Sequence, residues 1–295
     1  MIDPGLEDKV VMITGANNPS GIGAAAARAF AAQGARVFLH GYSQSWKGGR
    51  RSEIAALQEG SAPGESFYNR QGARPLQETL DSLGSQNGAG WEADLTDASV
   101  VTELFDRAEN IFGRVQILVN NAAYWEGDTF LPAEEELPNR LVEMWTSRPQ
   151  RISAGSLDRI FAVNTRAPAL LMAEFARRFI RRQANWGRII NISTASAACF
   201  PSEISYGASK LALEGYTRSA AVELGPLGIT VNVVSPGPVQ TGWITPELEQ
   251  ALLPSIPMGR IGAPDDIADV IVFLASHQAR WISGQRIFVG GGHGM

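Results

Sequence analysis

Short apolar runs alternate along the chain with longer segments of mixed polarity. The first run, Val10–Thr14, ends at Gly15 and precedes an alanine-rich segment over residues 21–33, so the pattern predicts a strand followed by a helix. Further strands are predicted at residues 36–40, 90–95, 116–120, 188–192, 230–234 and 286–289. Alternation of strands and helices over the whole chain predicts βαβ units and a parallel sheet, an α/β fold.

The segments between these strands predict helices and two irregular stretches. Helices are predicted at residues 74–83, 99–112, 156–182, 206–224 and 265–276. The polar segment 41–72 is predicted to be mostly loop, and residues 124–154, rich in Pro, Glu, Arg and Trp, to be irregular. No linker or repeat divides the chain, so we expect a single domain over residues 1–295.

Composition narrows the class of protein. Of 295 residues, 44% are hydrophobic and 19% charged, which is enough to bury a sizeable core. The net charge of −5 disfavours nucleic acid as a partner. The single cysteine, Cys199, excludes an intrachain disulfide, and three scattered histidines show no metal-ligand spacing, so no metal is expected. No apolar run of roughly 18 residues predicts a membrane helix, and the start lacks signal-peptide features. A cytoplasmic location is therefore expected.

A glycine-rich turn joins the first predicted strand to the first helix. Gly15, Gly21 and Gly23 would let the backbone approach a pyrophosphate, and the helix N-terminus would supply N–H groups and a positive dipole. The alternative is a tight strand–helix connection without a ligand. The position after the first strand of a βαβ series favours a dinucleotide site.

The end of the second predicted strand bears on the choice of cofactor. NAD-binding proteins usually place an acid there for the ribose hydroxyls, but none follows His40. Lys47, Arg50 and Arg51 come soon after and could hold a 2′-phosphate. A solvated basic loop is the alternative, and the pattern favours NADP over NAD.

The pair Tyr206 and Lys210 carries acid–base chemistry. A spacing of four places both side chains on one face of a helix. A nearby ammonium lowers the pKa of a phenol from ~10 and makes it a usable general acid or base. A surface tyrosine with a lysine four residues later is the alternative when the pair is taken alone.

Taken together, the motifs resemble the short-chain dehydrogenase/reductase family over residues 9–292. The resemblance is carried by Thr14-Gly15, Gly21-Ile22-Gly23, Asp94, Asn120-Asn121-Ala122, Asn164, Ser193-Thr194, Tyr206, Lys210 and Pro236-Gly237. Residues 259–262, 282–285 and 290–292 are similar to the branch that contains 3-oxoacyl-[acyl-carrier-protein] reductases. The resemblance implies a doubly wound parallel sheet, the Rossmann fold.

The same resemblance implies a function and a site. It implies an NAD(P)-dependent oxidoreductase that interconverts a carbonyl and a secondary alcohol, with Tyr206 transferring the proton. Lys210 would lower the pKa of Tyr206, Asn164 would hold a water in the proton relay, and Ser193 or Thr194 would orient the carbonyl. The implied cofactor-binding residues are Gly15, Ser20, Gly21, Ile22, Gly23, Tyr42, Asp94, Leu95, Asn121, Ala122, Tyr206, Lys210, Pro236, Gly237, Val239 and Thr241.

The implied partners are a small-molecule or thioester carbonyl compound and further copies of the chain. A homodimer or homotetramer would form through the helices predicted at residues 156–182 and 206–224. A rival interpretation is a sensor or scaffold that binds NAD(P) without turnover. The presence of Tyr206, Lys210 and Asn164 argues against that rival.

The glycine turn is longer than the family's usual one. Five residues separate Gly15 from Gly21, a lengthening also found in the enoyl reductases of the same superfamily. Those enzymes place six residues between the tyrosine and the lysine, and that position here is Glu203. The spacing of Tyr206 and Lys210 therefore favours carbonyl chemistry, with enoyl reduction as an alternative.

The catalytic hydroxyl has two candidates. Counting back from Tyr206 by the family's usual interval gives Ser193, whereas aligning the preceding strand gives Thr194. A shift of one residue turns a strand side chain to the other face, so strand register is the firmer guide. We favour Thr194.

An insertion and a lid are predicted near the substrate. Asn164 lies 43 positions after Asn121 (164 − 121), farther than is usual in the family, so residues 131–154 are an insertion. Met144, Trp145 and Arg148, together with Trp125, could cap a substrate pocket, with a peripheral loop as the alternative. Residues 238–262 correspond to the family's mobile lid, where three prolines are expected to limit helix.

Overall fold

The computed structural model describes residues 3–43, 73–84, 87–132, 135–144 and 149–294. Within them, one sheet has seven parallel strands in the order β3-β2-β1-β4-β7-β8-β9, which confirms the doubly wound Rossmann arrangement. The strands are β1 (Val10–Thr14), β2 (Arg36–Gly41), β3 (Gly88–Glu92), β4 (Val115–Asn120), β7 (Gly187–Ile192), β8 (Ile229–Pro236) and β9 (Arg286–Val289). The strand order reverses between β1 and β4, and sheets of this kind bind ligands at that switch point.

Helices cover both faces of the sheet. They are α1 (Ile22–Ala32), α2 (Leu76–Asp81), α3 (Ser99–Phe112), α4 (Ala154–Phe161), α5 (Ala167–Arg181), α6 (Ile204–Leu224), α7 (Pro246–Leu252) and α8 (Pro264–Ala275). Helices α1 and α8 pack together on one face, and α3, α5 and α6 lie on the other. None of the helices in the described ranges is both long and apolar enough to cross a membrane.

The apolar character of β1 follows from this layering. Val11 and Ile13 pack into the cluster beneath α1 and α8, whereas Val10 and Met12 pack into the cluster beneath α3 and α5. Because both faces are covered, the strand is apolar at successive positions rather than at alternate ones. The apolar run of β1 is therefore that of a strand buried on both sides.

The helix predicted over residues 156–182 is confirmed as a run of helical backbone from Ala154 to Arg181, but it contains a π turn that the pattern did not predict. Ser153 caps α4 through its hydroxyl, which accepts from the Ser156 N–H at 3.2 Å. A π turn at Ala162–Arg166 then separates α4 from α5. Asn164 lies within this turn, and the extra residue of the wider turn turns its side chain inward onto neighbouring backbone.

The predicted third strand was also displaced. It spans Gly88–Glu92, so residues 93–95 follow the sheet edge instead of forming the strand. Part of the predicted loop, residues 44–72, lies outside the described residues together with Lys47, Arg50 and Arg51.

The irregular stretch contains elements that the sequence pattern did not predict. Two short strands, β5 (Asp128–Thr129) and β6 (Gln150–Arg151), pair in parallel apart from the main sheet. Between them, a 3₁₀ turn at Arg140–Met144 packs against α7. The insertion therefore contacts the lid segment. Trp145 and Arg148 lie outside the described residues.

The expectation that prolines limit helix in the lid was wrong at its start. Pro246 occupies the first turn of α7, where a backbone N–H would have no partner within the helix, so its absence in proline costs no hydrogen bond. Thr245 caps the helix by accepting from the Leu248 N–H at 3.1 Å. A small apolar cluster inside the lid holds it together: Ile244, Leu248, Leu252 and Ile256, with Trp243 and Ile261 against it.

Candidate active site

The glycine turn has no room for side chains at two positions. Gly15 has a φ of +71°, and a Cβ there would lie 2.5 Å from Ala122 Cα. A Cβ on Gly23 would lie 2.5 Å from the Gly15 carbonyl oxygen. The N-terminus of α1 has Gly21 at its cap with no side-chain cap, and its first turn carries no acid. Bare backbone N–H groups at a helix N-terminus suit a diphosphate, so these residues fit a dinucleotide cofactor.

Asn121 holds the glycine turn in place. Its Nδ2 donates to the carbonyls of Thr14 at 3.0 Å and Gly15 at 2.8 Å. The Thr14 hydroxyl in turn accepts from the N–H groups of Asn121 and Ala122, both at 3.1 Å. The ends of β1 and β4 are thereby joined, and Asn121 and Ala122 lie beside the turn.

His40 supports the same turn, a role that the sequence pattern did not reveal. Its Nδ1 accepts from the Gly15 N–H at 3.4 Å, and its Nε2 lies 2.9 Å from the Ala93 carbonyl oxygen. These partners assign the proton to Nε2 in a neutral ring. Burial lowers the pKa of His40 to about 4, so the ring stays neutral near pH 7.

The residues added to the turn connect it to the lid. Asn18 Oδ1 accepts from the Ser20 N–H at 2.9 Å, and Asn18 Nδ2 donates to the Thr241 carbonyl at 3.2 Å. The longer turn therefore contacts the segment after β8. No pattern in the sequence links Asn18 to Thr241, because 223 positions separate them.

The remaining predicted cofactor residues surround the switch point in different ways. Pro236 ends β8, and a Cβ on Gly237 would lie 2.8 Å from Gly290 Cα. Asp94 follows β3 and accepts from the Thr96 N–H at 2.9 Å. Leu95 and Val239 are buried in the two main cores, so their side chains serve packing. Two further residues, Ile22 and Tyr42, are half-buried at the start of α1 and the end of β2.

Tyr206 and Lys210 lie one turn apart on α6, as predicted. Lys210 Nζ is 5.7 Å from the centroid of the Tyr206 ring and donates to the Ile192 carbonyl at 2.9 Å. Lys210 is only 2% exposed, and this burial lowers its pKa to about 8. The Tyr206 ring is half-buried and contacts Phe200 edge-on, with 6.1 Å between ring centroids.

Asn164 is held by the backbone of Tyr124 and the side chain of Ser209. Its Oδ1 accepts from the Tyr124 N–H at 2.7 Å, and its Nδ2 donates to the Tyr124 carbonyl at 2.9 Å. Nδ2 also lies 3.0 Å from Ser209 Oγ, which donates to the Tyr206 carbonyl at 2.7 Å. Asn164 therefore joins the π turn to α6, the helix that carries Tyr206 and Lys210.

The two hydroxyl candidates have different surroundings. Ser193 is buried, and its hydroxyl donates to Glu214 Oε1 at 2.6 Å. Thr194 is half-buried, and its hydroxyl makes no hydrogen bond within the described ranges. The side chain that remains available to a substrate is therefore that of Thr194.

A buried acidic pair lies just before α6. Glu203 accepts from the Trp125 indole N–H, and Asp128 accepts from the Ser205 N–H at 2.9 Å. Burial, with the nearby charge of Asp128, raises the pKa of Glu203 to about 7. No pattern in the sequence links Glu203 to Asp128, because the two lie in different segments of the chain. Within the described residues, no three His, Cys, Asp or Glu side chains form a cluster that could hold a metal ion.

Comparison with known proteins identifies the family. Residues 54–293 match a family model described as Enoyl-(Acyl carrier protein) reductase. An uncharacterized oxidoreductase, YjdA, of Bacillus subtilis (strain 168) is 36% identical, with 97% of each chain covered. A short-chain type dehydrogenase/reductase of Picea abies is 33% identical, covering 97% of this chain and 93% of its own. The chain belongs to the short-chain dehydrogenase/reductase family and is an oxidoreductase.

Two further comparisons add detail. The 3-oxoacyl-[acyl-carrier-protein] reductase FabG of Aquifex aeolicus (strain VF5) is 29% identical, covering 97% of this chain and 98% of its own. A crystal structure of a dehydrogenase/reductase from Sinorhizobium meliloti 1021 aligns with a TM-score of 0.72 at 27% identity, covering 97% of this chain and 95% of the other. Members of this family typically use NAD or NADP.

Proposed function

We propose that this chain interconverts a carbonyl group and a secondary alcohol with NAD(P), and that Tyr206 is its general acid and base. The observation that carries the proposal is the pairing of Tyr206 with the buried Lys210, whose Nζ lies 5.7 Å from the phenol ring centroid. When bound, the cofactor supplies or accepts the hydride. Tyr206 donates its proton to the carbonyl oxygen in the reductive direction and takes it back in the oxidative one.

Lys210 has an electrostatic role in this proposal. With a pKa of about 8, Lys210 is protonated in most molecules at neutral pH, although its ammonium group is buried. A positive charge this close favours the phenolate form of Tyr206 and so makes the proton easier to transfer. Asn164 keeps the first turns of α6 aligned through Ser209, and a proton relay through water at Asn164 is part of the proposal.

Thr194 is the hydroxyl that we assign to the carbonyl oxygen. The Ser193 hydroxyl is already engaged by Glu214, whereas the half-buried Thr194 makes no side-chain hydrogen bond within the described residues. A donor fixed next to the carbonyl oxygen stabilises the charge that develops there during hydride transfer.

NADP is the cofactor that we favour. No acid occurs among Gly41, Tyr42 and Ser43 at the end of β2. The neighbouring carboxylate of Glu92 is engaged by the Ser43 hydroxyl at 2.7 Å and the Leu76 N–H at 2.7 Å, so it does not substitute for the missing acid. This arrangement supports a cofactor without the usual acid–ribose contact.

A 3-oxoacyl thioester or a related ketone is the substrate class that we favour. The likeness to the Aquifex aeolicus FabG supports a 3-oxoacyl compound. The competing enoyl reduction is suggested by the description of the matching family model. Against it, the enoyl reductases of the superfamily have six residues between the catalytic tyrosine and lysine. Counting back from Lys210, that position is Glu203, a carboxyl that accepts from the Trp125 indole N–H.

Homo-oligomerisation through α5 and α6 is also part of the proposal. Both helices expose large apolar side chains: Leu170, Ile180, Leu211, Tyr216 and Val222. Such side chains on adjacent helices favour burial against another copy of the chain. Size measurement in solution at several protein concentrations tests this.

The central experiment measures oxidation of NADPH and NADH with a panel of an acetoacetyl thioester, small ketones, quinones and sugars. The Tyr206→Phe variant should bind cofactor and lose turnover by at least about 100-fold, within the range of general acid–base catalysis. Tyr216→Phe is the matched control, because it removes the same hydroxyl on the same helix outside the site and keeps the apolar ring of Tyr216. Near-normal turnover in Tyr206→Phe would contradict the role of Tyr206, and turnover of a conjugated enoyl thioester alone would favour enoyl reduction. Cofactor binding with no turnover of any compound would favour the sensor interpretation.

A further inference from the structure

The segment that follows β7 is fixed by two side chains from distant elements. Glu214 comes from α6, one helical turn beyond Lys210, and Arg286 is the first residue of β9. Arg286 Nε lies 3.1 Å from Glu214 Oε1, so the two form an ion pair. Neither residue belongs to the motifs that define the site.

Glu214 is a buried carboxylate with two partners. It is 2% exposed, and Oε1 accepts from the Ser193 hydroxyl at 2.6 Å as well as pairing with Arg286. A buried carboxylate is stable when it is both paired and hydrogen-bonded. Glu214 therefore fixes Ser193 and the guanidinium of Arg286 at the same time.

Arg286 fixes Thr194 and Ala195, the two residues that follow Ser193. Its Nη2 donates to the carbonyls of Thr194 and Ala195, both at 2.9 Å, and its Nε donates to Ser235 Oγ at 3.0 Å. The guanidinium carbon lies 4.2 Å from the centroid of the Phe288 ring, which holds its plane. Arginine can make these contacts together because its donors form a rigid planar fork.

We propose that the Glu214–Arg286 pair is a positioning device for the Thr194 hydroxyl, an inference that rests on the proposed function. The pair binds the side chain of Ser193 and the carbonyls of Thr194 and Ala195. These contacts fix the backbone from which the Thr194 side chain projects. Because a donor displaced by about 1 Å loses much of its catalytic effect, the pair acts on turnover through Thr194.

A double-mutant cycle tests this coupling. Arg286→Met removes the donors at similar length, and we expect a loss in kcat of about tenfold or more with the cofactor KM within about twofold of wild type. Thr194→Ala removes the hydroxyl itself. In the Thr194→Ala background, Arg286→Met should lower kcat by less than about twofold, because nothing remains to be positioned. Thr194→Ser keeps a hydroxyl and should keep the full sensitivity to Arg286→Met.

Two controls separate positioning from general destabilisation. Arg36→Met removes an ion-paired arginine from β2, where Arg36 contacts Asp8 at 2.6 Å far from Thr194, and kcat should not change. Hydrogen exchange of the substrate-free and cofactor-free protein gives a readout apart from turnover. Arg286→Met should speed exchange in residues 193–197 and leave the β1–β2 region unchanged. If Arg286→Met does not fold, Arg286→Lys, which cannot span the same acceptors, replaces it in every arm of the cycle.

The outcomes distinguish the catalytic role of Thr194 from the positioning role of the Glu214–Arg286 pair. Wild-type kcat in Thr194→Ala would overturn the role given to Thr194 in the proposed function. A large loss in Thr194→Ala, combined with an equal factor of loss from Arg286→Met in both backgrounds, would overturn the positioning role alone. Loss of kcat confined to the threonine and serine backgrounds, with faster exchange at residues 193–197, is the result that the structure leads us to expect.

Discussion

Replacing Glu203 by Gln should remove a pH dependence from the stability of the fold. Glu203 is 7% exposed and accepts from the Trp125 indole N–H, with the buried Asp128 nearby. Burial raises its pKa from 4.5 to about 7. Between these values the folded protein holds a proton that the unfolded chain has lost, so stability falls as the pH rises through this window.

The size of the effect follows from the pKa difference. At roughly 1.4 kcal/mol for each pKa unit, the change from 4.5 to about 7 corresponds to about 3 kcal/mol of unfolding free energy. Glutamine has the same shape, its carbonyl can accept from Trp125, and it does not ionise. Relative to wild type, Glu203→Gln should therefore gain about 3 kcal/mol between pH 4.5 and pH 8.

His40 acts in the opposite direction in part of the same window. Its pKa, lowered from 6.5 to about 4, means that the unfolded chain binds the extra proton, so stability falls as the pH drops from 6.5 to 4. A stability profile of the wild-type protein alone mixes the two contributions. The difference between wild type and Glu203→Gln cancels the His40 contribution and isolates Glu203.

The measurement is urea unfolding followed by circular dichroism at five or more pH values across this range. Glu223→Gln serves as the matched control, because Glu223 is exposed on α6 and undergoes the same chemical change. The control should run parallel to wild type at every pH. A Glu203→Gln profile that also runs parallel to wild type would refute the argument that burial holds a proton on Glu203.

Two further substitutions test the glycine turn and the packing of α3 against α5. Gly23→Ala should weaken NADPH binding at least about tenfold and lower the unfolding free energy by ~1–3 kcal/mol, because its Cβ would lie 2.5 Å from the Gly15 carbonyl oxygen. Gly215→Ala, with open space around it, should change neither quantity. Equal NADPH-binding curves and equal urea-unfolding curves for the two variants would contradict this account. Arg178→Met should lower the unfolding free energy by ~3–5 kcal/mol, because the side chain is 9% exposed and pairs with three carboxylates. Arg107→Met, at a half-exposed pair, should lower it by less than ~1 kcal/mol in the same urea titration.

Much of the fold could be predicted because local sequence carries the information. An apolar run such as Val10–Thr14 is buried on both faces wherever it lies in a parallel sheet, and the glycines after it allow the close turn. The Tyr206 and Lys210 pair likewise follows from helical periodicity alone. These features depend on residues within a few positions of one another, so their pattern is visible in the chain.

Features that depend on distant residues were missed. The π turn at Ala162–Arg166 divides a segment whose periodicity predicts one helix, because Asn164 is fixed by Tyr124, 40 positions earlier. The pairing of β5 with β6 joins two-residue strands too short to leave a pattern. Such elements exist only because the rest of the fold brings their partners within hydrogen-bonding distance.

The sequence by itself determined the order of the main strands and helices, the family and the placement of Tyr206 and Lys210 on one helix face, since each rests on spacing along the chain. Only the tertiary structure decided which hydroxyl is available at the site. In the sequence, strand register favours Thr194 and the interval before Tyr206 favours Ser193. In the structure, Glu214 and Arg286 contact these two residues from α6 and β9. Glu214 accepts from the Ser193 hydroxyl, whereas Arg286 contacts Thr194 through its carbonyl and not through its hydroxyl. These contacts depend on distance in space rather than on separation along the chain.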